Sequence, residues 1–133
     1  MRFSTLFLGA ASLLAAVAPS MATAIDSSLN KRQTFSNERF TYYEVGGAAG
    51  ACGQTHSDSE FVVALNADQY GSGYPGPHCF QTITITANGK THTAEIVDKC
   101  PGCPYGGLDF SPTLFEYFAP LSQGVLTGSW HFN

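Results

Sequence analysis

The chain has 133 residues and carries ten acidic against six basic side chains, a net charge of −4, with only 12% of its residues charged. That length fits one domain. The acidic balance excludes the basic face that nucleic acid or an anionic membrane surface requires, and it is compatible with a neutral polysaccharide.

Residues 1–24 read as a secretory signal peptide: Arg2 is the positive n-region, Leu6 to Val17 the apolar core, and Ala22-Thr23-Ala24 the small-residue cleavage site. Pro19 and Ser20 break the apolar run before the roughly 18 residues that a membrane span needs. Residues 25–32 run through a polar stretch to Lys31-Arg32, a dibasic pair that resembles the cleavage site of a kexin-type processing protease. They are read as a pro-segment. The folded domain is then 33–133, a secreted, extracellular or cell-wall protein expected to be monomeric. Its cations are Arg39, Lys90 and Lys99.

Four cysteines fall in this domain, Cys52, Cys79, Cys100 and Cys103. In an oxidising compartment an even count implies two disulfides, with three pairings open. A structural zinc site wants a second close ligand pair, which the isolated Cys52 and Cys79 do not supply. No metal or cofactor is therefore expected. Cys100-Pro101-Gly102-Cys103 has the spacing of a redox pair, but Pro104-Tyr105-Gly106-Gly107 follows where a thiol-activating helix would have to start. A structural clip is the better reading.

Thr34 to Glu38 is polar and reads as a loose lead-in. Phe40-Thr41-Tyr42-Tyr43 is rich in β-formers and reads as the first strand. Gly46 to Gly53 is a run of small residues that permits close backbone approach, and Cys52 inside it marks a tethered loop. Phe61 to Leu65 is a short apolar run, either a buried strand or a turn. Asn66 to His78 is a loop carrying Tyr70 and Tyr74, which could stack on sugar rings or pack down beneath the loop. Ile83 to Thr86 and Thr91 to Val97 flank Asn88-Gly89, a strong hairpin signal. Along the return strand His92, Ala94, Ile96 and Asp98 share a face by the period of two. That period predicts Asp98 on the inward face, with His92 structural.

Val97 to Ser111 is the stretch around which the chain is organised. It is a loop by composition, with Asp98 and Asp109 at its two ends. Ser111-Pro112 begins a short helix with an apolar face of Leu114, Phe115 and Phe118, and Gly124 to Phe132 is a last strand. Many short strands, Gly/Pro turns and one small helix predict an all-β barrel.

Taken in order, Thr41-Tyr42-Tyr43, Gly50-Ala51-Cys52-Gly53, Val63-Ala64-Leu65-Asn66, Val97 to Cys103, Leu108-Asp109-Phe110-Ser111 and Trp130 form a series. It resembles the double-psi β-barrel proteins: RlpA-like and barwin-like domains and the first domain of expansins. The resemblance implies a six-stranded double-psi β-barrel with one or two short helices and an open groove. It implies Asp109 as the principal acid of that groove, the position that expansins need for wall loosening and that related endoglucanases use as general acid. Asp98 would be a second groove aspartate, so the two are the candidate catalytic residues. Thr41 and Tyr43 line the substrate groove, to which Tyr70, Tyr74 and Tyr105 are added as loop aromatics. The barwin pattern implies Cys52 with Cys79. Barwin's partner for Cys100 is missing, which leaves Cys100 to close on Cys103.

Two departures bear on function. The place where related endoglucanases carry their second carboxylate holds Val45 here, and Glu44 alternates to the other face. The second, carbohydrate-binding domain of a full expansin is also lacking. The expectation is a protein that binds or loosens cell-wall polysaccharide such as glucan or chitin, leaning away from an enzyme. The alternatives are a glycan-cleaving endoglucanase or lytic transglycosylase using Asp109, and a module that binds a secreted or host protein, for instance as a cysteine-peptidase inhibitor.

Overall fold

A computed structural model describes residues 33–133. The signal peptide, the pro-segment and the dibasic site lie outside the described residues. Six strands, β1 (Thr34–Tyr42), β2 (Val62–Asn66), β3 (Thr82–Ala87), β4 (Lys90–Cys100), β5 (Leu108–Phe110) and β6 (Leu126–Phe132), close into a barrel in the order β1-β5-β2-β4-β3-β6. Two short helices decorate it, α1 (Ala67–Tyr70) and α2 (Pro112–Phe118). The β1/β5 and β2/β4 pairs are parallel and the other four antiparallel. The barrel is filled by Phe40, Leu65, Ile83, Ile85, Ile96, Leu108, Phe110 and Trp130, all buried.

Three expectations are corrected. The first strand starts at Thr34, not Phe40: Thr34 pairs with His131 and Phe35 with Trp130. Phe35 packs on Trp130 at 4.6 Å between ring centroids. A bulge between Phe35 and Glu38 lets the polar Ser36 and Asn37 bow outward. Part of the organising loop is a strand, since Leu108-Asp109-Phe110 inserts between β1 and β2. Three residues are too few to show a period, and both of the strand's partners are distant in sequence. Finally, α1 interrupts the loop after Asn66.

The third strand-level finding concerns Asp98. Val63 pairs with Ile96, but the next residue, Ala64, pairs with Asp98, so Val97 is an extra residue in β4. Alternation resets across such a bulge. Ile96 stays in the core, and Asp98 emerges on the outer face instead of the predicted inner one.

The short β5 is clamped at both ends by the two buried polar residues among those described, Asn66 and Ser111. Asn66 donates its amide to the Gly107 carbonyl at 3.1 Å, while its own oxygen accepts from the Gln69 amide and caps α1. Ser111 donates its hydroxyl to the Glu60 carbonyl and caps α2 by accepting from the Leu114 amide. Buried polar groups persist where they are fully paired, and these hold Asp109 in register.

Disulfides join Cys52 to Cys79 and Cys100 to Cys103. The first spans 27 residues and ties the Gly46–Gly53 loop to the start of β3, while the second spans three. In the chain-entropy account, replacing Cys52 and Cys79 by serine should lower the unfolding free energy by roughly 3–4 kcal/mol, and replacing Cys100 and Cys103 by about 2 kcal/mol. Urea unfolding of the two double variants checks the ordering.

Candidate functional site

The strand register sets one row of side chains across four strands. Thr41 on β1 lies beside Asp109 on β5, Asp109 beside Ala64 on β2, and Ala64 beside Asp98 on β4. Their neighbours Phe40, Leu108, Leu65, Phe110 and Val63 are core residues, so the row lies on the outer face by alternation. The two aspartates stand two strand spacings apart, about 10 Å between Cα atoms.

The two carboxylates differ in what they touch. One oxygen of Asp98 accepts from the Ala51 amide at 2.7 Å and the Lys99 amide at 2.9 Å, and the other from the Tyr43 hydroxyl at 3.1 Å. Asp109 accepts from the Thr41 hydroxyl at 2.9 Å. Among the described residues its second oxygen accepts nothing, and it is not sealed from solvent. Burial raises the Asp109 pKa above its ordinary value, and the nearby Asp98 charge adds to the rise; the Thr41 hydrogen bond and Arg39 oppose it. Arg39 is two residues from Thr41 along β1, a cation near Asp109 that only the β1/β5 pairing reveals. Burial, then the Asp98 carboxylate, pushes the Tyr43 hydroxyl far up, so it remains a donor.

Tyr43 extends from the end of β1 to an acceptor on β4, with β5 and β2 between. Its side chain therefore reaches across the outer face of the barrel toward β4. The Gly46–Gly53 loop closes this side. A side chain at Gly50 would meet the Val97 carbonyl at 2.8 Å and the Asp98 carboxyl carbon at 3.0 Å. Only glycine lets the backbone come near enough for the next amide, that of Ala51, to bond Asp98. Asp58 holds the start of the loop by accepting from the Val45 and Gly46 amides. Neither Ala51 nor Asp58 is recognisable from sequence, because the first acts through its backbone and the second belongs to a polar run with no period. The glycine-rich run was the available signal.

Thr41, Tyr43, Asp98 and Asp109 are thus brought together, and the three loop tyrosines go separate ways. Tyr70 is a correction: it is 3% exposed, its hydroxyl bonded to the Ala51 carbonyl and the Gly76 amide, so it supports the loop from beneath and offers no face to a ligand. Lys99 sits over its ring at 5.6 Å. Tyr74 is 77% exposed and lays its hydroxyl against Gly53, at the edge of the same loop. Tyr105 is also corrected. It packs edge-on against Phe35, six residues or roughly 20 Å along β1 from Thr41, at another part of the barrel. His92 is enclosed by Phe61 and Tyr117 and far from the row.

A closed six-strand barrel with parallel β1/β5 and β2/β4 pairs and an outer row of Thr, Asp and Asp defines a class, the double-psi β-barrel. No family model matches the chain. The papain inhibitor of Streptomyces mobaraensis is 34% identical over 99 residues, 71% of this chain and 68% of that protein. The solved Streptomyces papain inhibitor superposes with a TM-score of 0.68 and 33% identity, covering 75% of this chain and 94% of the other. An expansin from Clavibacter michiganensis, solved in complex with cellohexaose, gives 0.67 at 22% identity over 76% and 50%, a likeness of fold. Allergen Asp f 7 of Aspergillus fumigatus is 43% identical over 100 residues, 71% of this chain. The chain spans about a third of that protein's length, at 36%. The chain belongs to the RlpA-like, barwin-like double-psi β-barrel family.

A raised Asp109 pKa means that the folded protein binds this proton more tightly than the unfolded chain does. Stability from this group is therefore present below the unfolded carboxylate pKa and lost as pH rises through the folded one. Asp109→Asn cannot titrate and keeps an oxygen for Thr41. Its thermal midpoint relative to the wild type should rise between about pH 3 and pH 7. Parallel melts of the two proteins across that range check the sign.

Proposed function

We propose that this secreted domain binds cell-wall polysaccharide in the open trough formed by Thr41, Tyr43 and Asp109, without hydrolysing it. The observation that carries the reading is the inequality of the two carboxylates. Asp98 has both oxygens occupied by the protein, whereas Asp109 keeps one free, near enough to Tyr43 for its charge to act on the phenol. A carboxyl group next to an aromatic face is chemistry suited to a sugar, whose hydroxyls hydrogen-bond while its C–H face stacks. A neutral Asp109 can also donate, so binding strengthens as pH falls through its raised pKa. Secretion fits the two disulfides.

Placement supports the non-hydrolytic reading. A glycosidase sets two carboxyl groups on either side of the scissile bond. Here Asp98 and Asp109 share one sheet face, and Asp98 is engaged by three donors. Val45, where the family's hydrolases carry a base, cannot serve.

A second reading is favoured by the relative that matches most of its own length, a papain inhibitor. In that case a papain-like peptidase is the partner, and the exposed Tyr74 loop is a natural contact.

Sedimentation with insoluble cellulose, chitin, mannan and peptidoglycan at pH 5 and pH 7 separates the two. Glycan binding predicts retention on at least one polymer, stronger at pH 5, reduced at least tenfold by Asp109→Ala, and no release of reducing sugar. Retention unaffected by Asp109→Ala, or sustained sugar release, overturns the reading. Absence of retention combined with tight papain inhibition selects the second.

A further inference from the structure

Away from the aspartate row, a cleft of about 710 Å³ opens between the start of β1, the end of β6, the start of β3 and α1. Its volume falls in the range that holds small ligands, roughly 300–1,000 Å³. Its walls include Phe35, Phe132 and Tyr105, and its polar lining includes Asp68, Gln69 and Gln81. None of Thr41, Tyr43, Asp98 or Asp109 lines it.

The wall is built in layers. Trp130 stands behind, 4.6 Å from the Phe35 ring and 4.9 Å from that of Phe132. His78 stacks on Phe132 at 4.6 Å and is fixed by Gln81 at 2.8 Å. The Trp130 indole donates to the Gly106 carbonyl at 2.8 Å, which anchors the turn that carries Tyr105. Tyr105 remains 57% exposed, its ring nearly perpendicular to that of Phe35 at 6.2 Å between centroids, so much of its surface is open to a ligand. Among the described residues the Asp68 carboxylate accepts no hydrogen bond, and the Gln69 amide nitrogen donates none, its oxygen being taken by Asn66. Among the described residues no Lys or Arg lines the cleft, and its polar side chains favour a neutral ligand.

We infer that this cleft is a second carbohydrate site, which takes a neutral pyranose at the end of a glycan chain. One sugar face stacks on Tyr105, the vicinal hydroxyls donate to Asp68, and Gln69 donates to a sugar oxygen. A carboxylate beside an amide matches a pair of adjacent hydroxyls, each being both donor and acceptor. The inference stands independently of the trough at Asp109. With both sites occupied, the barrel would hold a polymer along one face and a chain end roughly 20 Å away.

Trp130 is the single tryptophan of the chain and serves as a built-in reporter. The ¹⁵N-labelled secreted protein is titrated with cellotriose and with chitotriose while the Trp130 indole N–H resonance is followed. The expected result is a saturable shift with at least one probe, retained in Asp109→Ala and weakened at least tenfold in both Tyr105→Ala and Asp68→Ala. Both replaced side chains are exposed, and otherwise unchanged spectra verify their fold. An indole resonance unmoved by millimolar amounts of either probe overturns the inference. A shift that Tyr105→Ala and Asp68→Ala leave intact does the same. Loss of the shift in Asp109→Ala would mean that it reports the trough, which also overturns it. Failure of the trough is read separately, from the sedimentation of Asp109→Ala on insoluble polymer.

Discussion

The site depends on one extra residue in one strand. Without Val97 as a bulge, Asp98 would follow Ala94 and Ile96 into the barrel, a carboxylate among Ile, Leu and Phe side chains. Burying an unpaired charge there would cost several kcal/mol. With the bulge, Val97 absorbs the mismatch, Ile96 keeps its core position, and Asp98 turns outward into the row with Ala64 and Asp109. One residue decides whether the second aspartate is a defect in the core or a member of the site.

The same carboxylate then organises the loop above it. Asp98 takes the Ala51 amide, and Gly50 admits the backbone close enough for that bond. Tyr70 supports the Ala51 carbonyl from below, and Cys52 anchors the next residue to Cys79. Hydrogen bonds to a charged acceptor are each worth about 1.5–3 kcal/mol when made, and losing the acceptor leaves buried donors unpaired. Asp98 is thus a positioning residue. It holds Tyr43 and the loop in place, and under the proposed function the ligand-facing chemistry falls to Asp109.

Local signals in the sequence were read correctly where the chain is governed by near neighbours. Asn88-Gly89 turns with positive φ at both residues, 49° and 73°, as a two-residue hairpin of that composition should. Ser111 caps and Pro112 opens α2. The ordered motifs carried the barrel and the disulfide pairing. What sequence did not reveal is non-local. β5 exists because β1 and β2 both pair with it. Phe35 belongs to a strand because Trp130 lies opposite. The bulge at Val97 is set by the β2 register, and strict alternation therefore put Asp98 on the wrong face. Tyr70 and Tyr105 look alike in sequence, both in Gly-rich loops, and only tertiary packing buries the one and leaves the other beside Phe35.

The inequality of the two aspartates also resolves an electrostatic conflict. Two free carboxylates in one row, two strands apart, would repel, which favours a retained proton on one of them. The fold divides the burden. Asp98 accepts from three donors, Ala51, Lys99 and Tyr43. Asp109 has Thr41 and the distant help of Arg39, set against its own burial, and burial prevails. The group whose pKa burial raises is therefore also the one with an unoccupied oxygen. A carboxyl group that is desolvated, half-satisfied and mounted on a strand clamped by Asn66 and Ser111 can exchange its solvent hydrogen bonds for those of a ligand with little rearrangement. Preorganisation of that kind is what makes a shallow outer face of a small barrel usable as a binding surface.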